Sequence, residues 1–143
     1  MIFIDANFWI ALFNKKDACH KQALHLFNAL QQSGFNKLFI NNLVLAEVLT
    51  ILSQRTGKVL ALQFYDSLLL SFLIEIVYIT ESIERRAMEY FRQISTKNIS
   101  FTDCSIFATS DMHQIKNIIS FDKHLKCVKD FNIINDPKQL SKN

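Results

Sequence analysis

Short runs rich in β-branched and aromatic residues alternate along the chain with longer stretches whose apolar residues recur every three or four positions. MIFI, KLFI, IEIVYI, NIISF and FNII form the first group, bounded by polar residues, and predict β-strands. DACHKQALHLFNALQQ, LVLAEVLTILSQR, KVLALQFYDSLLLSF and SIERRAMEYFRQIS form the second and predict amphipathic helices. Several strand candidates are nearly continuous apolar text, as expected of a sheet covered by helices on both faces. Strand and helix alternate, so the expected fold is α/β, with a central, mainly parallel sheet flanked by helices. No internal repeat or domain boundary interrupts the pattern. One domain is expected over residues 1–135, followed by a polar tail, 136–143, that frays.

Composition narrows the chemistry. With 143 residues, half of them hydrophobic and a fifth charged, the chain is globular and long enough to bury a core. Two glycines and one proline leave no room for a phosphate-cradling glycine loop or a dinucleotide fingerprint. A net charge of +3 permits a polyanionic partner without demanding one. Cys19, Cys104 and Cys127 are odd in number and lack any C-x-x-C pair, so they read as reduced, packed thiols. The longest greasy stretch, SLLLSFLIEIVYI, is broken by Glu75 and too short to span a bilayer, and no basic segment precedes the first apolar run. A cytoplasmic protein without membrane contact is expected.

Against this background the opening MIFIDANFWIALF raises a question. Asp5 interrupts apolar text, and burying an ionised carboxylate without a partner costs several kcal/mol or more. In open parallel sheets ligands bind beyond the carboxyl ends of the strands. Asp5 closes the first strand, and Asp122 closes another in NIISFD. Glu47, in LVLAEVLTIL, and Asp103, in SFTDCSIFATS, sit in apolar helical text. Glu47 neighbours Leu43, Val44, Thr50 and Ile51 on its helix and should project from a largely buried face. Asp103 falls in a first helical turn, with Ser100 or Thr102 as cap.

Each acid has a structural alternative. Asp5 and Asp122 can cap the segments that follow them, and Asp103 suits a helix dipole. Glu47 is the hardest to dismiss, since no basic residue lies within a turn of it. If the acids converge, they raise each other's pKa unless a cation neutralises them. Oxygen ligands without a Cys or His motif select Mg²⁺ or Mn²⁺. Such a site is suited to phosphodiester hydrolysis. His20, His25, His113 and His124 contain no i, i+4 pair for helix-borne zinc, and Ser100, Thr102 and Ser105 lack a nucleophile elbow.

IDANFWIALF, NNLVLAEVLTIL, SFTDCSIFATS and SFDKHL resemble, in order and spacing, the motifs of the PIN-domain nucleases, and among them the VapC-type toxins of type II toxin–antitoxin pairs. The resemblance implies a sheet of four to five strands and Mg²⁺- or Mn²⁺-dependent RNA cleavage. It also implies a homodimer and inhibition by a cognate antitoxin. By the same likeness Asp5, Glu47, Asp103 and Asp122 take the catalytic metal-ligand positions, and Asn7 and Thr102 the supporting polar ones. Lys15, Lys16 and Lys123 are rim candidates for RNA phosphates. In DACH, Asp17 is expected to cap a helix and His20 to pack. Phe64 and Leu68 are candidates for a dimer contact. Two alternatives stay open: a noncatalytic PIN-like module that binds RNA or protein, and an α/β phosphohydrolase with Asp5 as nucleophile. Against the latter, Asp5-Ala6-Asn7 lacks the second aspartate of a D-x-D signature.

Overall fold

The structure, a computed structural model, describes residues 1–34 and 37–142. In chain order it comprises β1 (Ile2–Ile4), α1 (Ala6–Phe13), α2 (His20–Gln32), β2 (Leu38–Asn41), α3 (Asn42–Thr56), α4 (Lys58–Leu70), β3 (Ile74–Val77), α5 (Glu81–Gln93), α6 (Phe101–Met112), β4 (Asn117–Ile119) and β5 (Asn132–Ile134). A 3₁₀ helix, Lys123–Cys127, lies between β4 and β5, and another, Pro137–Lys142, follows β5. The strands make one parallel sheet in the order β3-β2-β1-β4-β5, with helices on its faces. The near-continuous apolar text of β1 is accounted for: Ile2, Phe3 and Ile4 are wholly buried in the central strand.

The five strands and α2 to α5 form in the runs that periodicity marks, α6 forms in the apolar text around Asp103, and α1 follows directly on Asp5. The helix expected from Asp17 begins at His20; Asp17 Oδ1 instead accepts the N–H of Cys19 at 2.9 Å, an Asx turn that leads into α2. His20 packs as expected, its Nδ1 lying 2.7 Å from the Ala11 carbonyl.

Phe64 and Leu68 do not contribute to a surface. With Ala61 they form the inward stripe of α4 and are 0 % and 2 % exposed. The surplus apolar residues of this region are Val59, Leu62, Leu69 and Leu70, with Phe72 and Leu73 in the turn that follows. The described part of the tail packs on the domain. Leu140 is buried, Gln139 Oε1 accepts the N–H groups of Asn135 and Asp136, and Gln22 Nε2 donates to the Asn135 carbonyl. Among the described residues no helix is long and apolar enough to cross a membrane.

Candidate active site

Because β1 and β4 are neighbours, the residues that follow them meet across 115 positions of sequence. Asp5 leaves β1 in extended conformation and caps α1, its Oδ1 accepting the Ala6 N–H at 2.6 Å. Its Oδ2 accepts the hydroxyl of Ser120 at 2.7 Å. Ser120 Oγ in turn accepts Asn7 Nδ2 at 3.1 Å and the N–H of Asp122 at 2.9 Å. Asn7 Oδ1 accepts the N–H of Phe121 at 2.9 Å. One buried hydroxyl thus ties Asp5, Asn7 and Asp122 together.

Asp122 stands three residues beyond the end of β4 and caps the first 3₁₀ helix. Its Oδ1 accepts the His124 N–H at 2.8 Å and lies 2.8 Å from the imidazole Nδ1. The other ring nitrogen is 3.1 Å from Asn98 Nδ2.

The two helix acids are placed by a second buried hub. Asn41, 0 % exposed, ends β2 and caps α3 through Oδ1, which accepts the Val44 N–H at 2.9 Å. Its Nδ2 donates to Ser105 Oγ at 3.0 Å and lies 3.2 Å from Thr109 Oγ1, both on α6. This clamp sets Glu47 on α3 opposite Asp103 on α6. Ser100, rather than Thr102, caps α6: its Oγ accepts the Asp103 N–H, and Asp103 Oδ2 accepts the Ser100 N–H and hydroxyl, each at 2.7 Å.

The expectation that Glu47 projects from a buried face does not hold. Val44, Leu45, Val48 and Leu52 form the buried stripe of α3, and Glu47 stands on the exposed side. What it faces is a cavity of about 390 Å³, lined by Asp5, Glu47, Asp103 and Asp122 together with Asn7, Asp17, Ser100, Ile51 and Arg55. Thr102 is half-buried and outside this lining. Lys15 and Lys16, in the α1–α2 loop, and Lys123, at the start of the 3₁₀ helix, are exposed and also lie outside it.

Electrostatics marks the cavity as short of positive charge. Burial, aided by the charges of Asp103 and Glu47, holds the Asp5 carboxyl up at about 7, against the hydrogen bonds from Ser120 and Ala6. Glu47 is raised by partial desolvation at the cavity wall and then by Asp103. Asp103 is raised by burial and by Asp122, against its bonds from Ser100. Cys104, buried beside Asp103, is pushed up to about 11 and is a packed thiol. Among the described residues no three Asp, Glu, His or Cys side chains are close enough to hold a metal ion as they stand. Mutual repulsion and the separate hydrogen bonds of Asp5, Asp103 and Asp122 keep the acids spread around the walls. The donor set nevertheless fits a hard divalent cation. It is all oxygen, and its raised carboxyls are those an ion of opposite charge would stabilise in ionised form.

Ser120 and Arg55 line or support the cavity without having been site candidates in the sequence, and Asp17, expected only as a helix cap, also lines it. Ser120 carried one usable signal, its place between a strand end and an acid; Arg55 carried another, two i+4 steps along α3 from Glu47.

Known proteins resemble this chain over most of its length. The PIN domain family profile matches residues 2–130. The chain is 32% identical over 122 residues to the 23S rRNA-specific endonuclease VapC20 of Mycobacterium tuberculosis, covering 85% of this chain and 89% of that protein. It is 27% identical over 120 residues to the VapC ribonuclease of Archaeoglobus fulgidus, covering 83% and 75%. The crystal structure of M. tuberculosis VapC20, described as a sarcin–ricin loop cleaving toxin, matches with a TM-score of 0.79 at 29% identity over 89% of this chain and 94% of that one. A toxin–antitoxin complex from Klebsiella pneumoniae shares the fold alone, with a TM-score of 0.68 at 16% identity over 96% and 98%. Strand order, acid placement and a family match over most of its length lead to one conclusion: the chain belongs to the PIN-domain family, with VapC proteins among its relatives.

Proposed function

We propose that this protein is a divalent-metal-dependent endoribonuclease and the toxin of a toxin–antitoxin pair. The observation that carries the reading is that Asp5, Glu47, Asp103 and Asp122, scattered through the sequence, line one cavity at the carboxyl ends of parallel strands. Relatives named as an rRNA-specific endonuclease and a ribonuclease support RNA as the substrate class.

Those four acids would hold Mg²⁺ or Mn²⁺. When bound, such an ion polarises a phosphoryl oxygen and lowers the pKa of a coordinated water. The chain's own contribution is orientation. Ser120 fixes the Asp5 carboxylate by its hydroxyl, leaving Oδ1 to hold the start of α1. Asn7 holds Ser120 and the Phe121 backbone, which keeps Asp122 in register with Asp5. Ser100 engages one oxygen of Asp103, Oδ2, and so holds the carboxylate on the cavity wall. Lys15, Lys16 and Lys123, at the surface outside the cavity lining, are proposed for phosphate binding, and Asn7 and Thr102 for support of the acids.

A protein partner is supported by uncovered apolar surface. Leu69, Leu70, Phe72 and Leu73 are 60, 80, 102 and 53 % exposed in one stretch of chain. An antitoxin and a second copy of this chain are the partners proposed for such surface, in line with a fold neighbour that comes from a toxin–antitoxin complex.

The test is cleavage of a broad RNA set by purified protein with Mg²⁺ or Mn²⁺, beside EDTA and Asp5→Asn controls. Activity lost in both controls, with the variant folded, supports the nuclease. Absence of cleavage, with no rise in thermal stability on adding either ion, leaves a binding module instead.

A further inference from the structure

We propose that Arg55 is a substrate-binding residue that grips an RNA backbone phosphate next to the one being cut. This rests on the ribonuclease reading above and adds to it the path of the strand.

The starting point is a stripe on α3. Glu47, Ile51 and Arg55 are spaced i, i+4, i+8, and all three line the acid-walled cavity. Eight residues of α-helix span about 12 Å, so the stripe carries a carboxylate at one end and a guanidinium about two turns away. Gly57, at φ +95°, ends the helix two residues later and turns the chain away, which leaves Arg55 on an open rim.

Charge gives the second argument. Asp5, Asp17, Glu47, Asp103 and Asp122 all line this cavity, and among the described residues Arg55 is the only basic side chain in its lining. A polyanion cannot approach five carboxylates without positive charge to meet it. A metal among the acids would answer at the deep end, and Arg55 answers at the rim.

The third argument is availability. Arg85 is ion-paired with Glu81, and Arg86 with Glu89 and Asp111. Arg55 makes no ion pair or hydrogen bond among the described residues, although carboxylates share its cavity. A guanidinium left free beside a reacting site presents paired donors of the right geometry for phosphate. A cation in the last turn of a helix also complements the helix dipole, but that role serves folding alone and is indifferent to RNA.

The experiment measures binding of a mixed-sequence single-stranded RNA oligonucleotide to the uncleaving Asp5→Asn protein in Mn²⁺, as a function of salt. Arg55→Ala and Arg55→Gln in that background are expected to weaken binding and to lower the slope of log affinity against log salt by about 0.7–1, the value of one lost phosphate contact. Arg55→Lys should restore the slope. Lys58→Gln, three residues away and lining a different groove, should leave it nearly unchanged. In the wild-type background Arg55→Ala should raise KM for cleavage far more than it lowers kcat.

An unchanged slope and KM in Arg55→Ala, while the parent binds and cuts RNA, overturns the Arg55 assignment and leaves the nuclease reading standing. Equal losses for Arg55→Ala and Lys58→Gln also overturn it, since they indicate diffuse surface attraction. Absence of both RNA binding and cleavage by the wild type removes the two readings together.

Discussion

The hydroxyl of Ser120 donates to Asp5 Oδ2 at 2.7 Å and is itself 0 % exposed. This bond joins the ends of two neighbouring strands and opposes the effect of burial on the Asp5 carboxyl. Ser120→Ala removes the donor and leaves a buried carboxylate short of a partner. The expected cost is about 1.5–3 kcal/mol at a pH where Asp5 is ionised, with weaker Mn²⁺ binding, read by urea denaturation and calorimetric titration. Ser120→Thr keeps the hydroxyl and should recover part of both.

Without metal, stability should fall as pH rises. The folded Asp5 carboxyl lies at about 7 against an ordinary 3.8, and Glu47 and Asp103 are raised as well. A group that holds its proton more tightly in the native state stabilises fully below its unfolded pKa and loses that contribution as pH rises through the folded one. For Asp5 the change is about 4 kcal/mol at most. Urea denaturation in EDTA between about pH 4 and pH 8 should show the decline, and Asp5→Asn should remove much of it.

Divalent ions should reverse this trend. A cation that binds the native state at a hundred times its Kd adds about 2.7 kcal/mol. Because it competes with protons for the same oxygens, the rise in Tm with Mn²⁺ should be larger at pH 8 than at pH 6. A pH-independent rise would place the ion elsewhere.

Asn41→Ala tests the second hub. It removes the α3 cap and leaves Ser105 and Thr109 without a buried donor, so a loss of about 2–4 kcal/mol is expected in urea denaturation. Catalytic loss should exceed what the unfolded fraction explains, since Glu47 is then free to shift against Asp103.

The two sides of α4 should behave oppositely. Phe64→Ala opens a void in the core, where Phe64 touches Trp9 and Phe13, and should cost about 3–5 kcal/mol. Leu70→Lys, on a residue 80 % exposed, should leave Tm nearly unchanged and reduce self-association or antitoxin capture in sedimentation or pull-down measurements.

Much of this was legible in the chain, because the acids interrupt apolar text and periodicity identifies the strands and the helices α2 to α5. Asp5 after β1, and Asp103 in a first helical turn, need only local rules. Glu47 misled because an acid amid Val44, Leu45 and Val48 looks buried, whereas a helix flanking a cavity turns one apolar-flanked position outward. Phe64 and Leu68 misled for a related reason: an all-round apolar helix does not reveal which stripe faces in until its neighbours are placed. Ser120 and Arg55 carried only weak local signals, a place between a strand end and an acid and a helical spacing from Glu47, because what they face lies far away in sequence or across the cavity.

The strand order has a consequence for how the protein is made. β1 is synthesised first, yet it lies between β2 and β4, and Asp5 meets Ser120 and Asp122 only through the latter. A growing chain therefore carries Asp5 long before the segment Asn117–Asp122 exists to hold its carboxylate. Such long-range parallel pairing forms late and slowly. Until that segment emerges, Asp5 lacks the Ser120 hydroxyl and the cavity lacks the wall that Asp122 supplies.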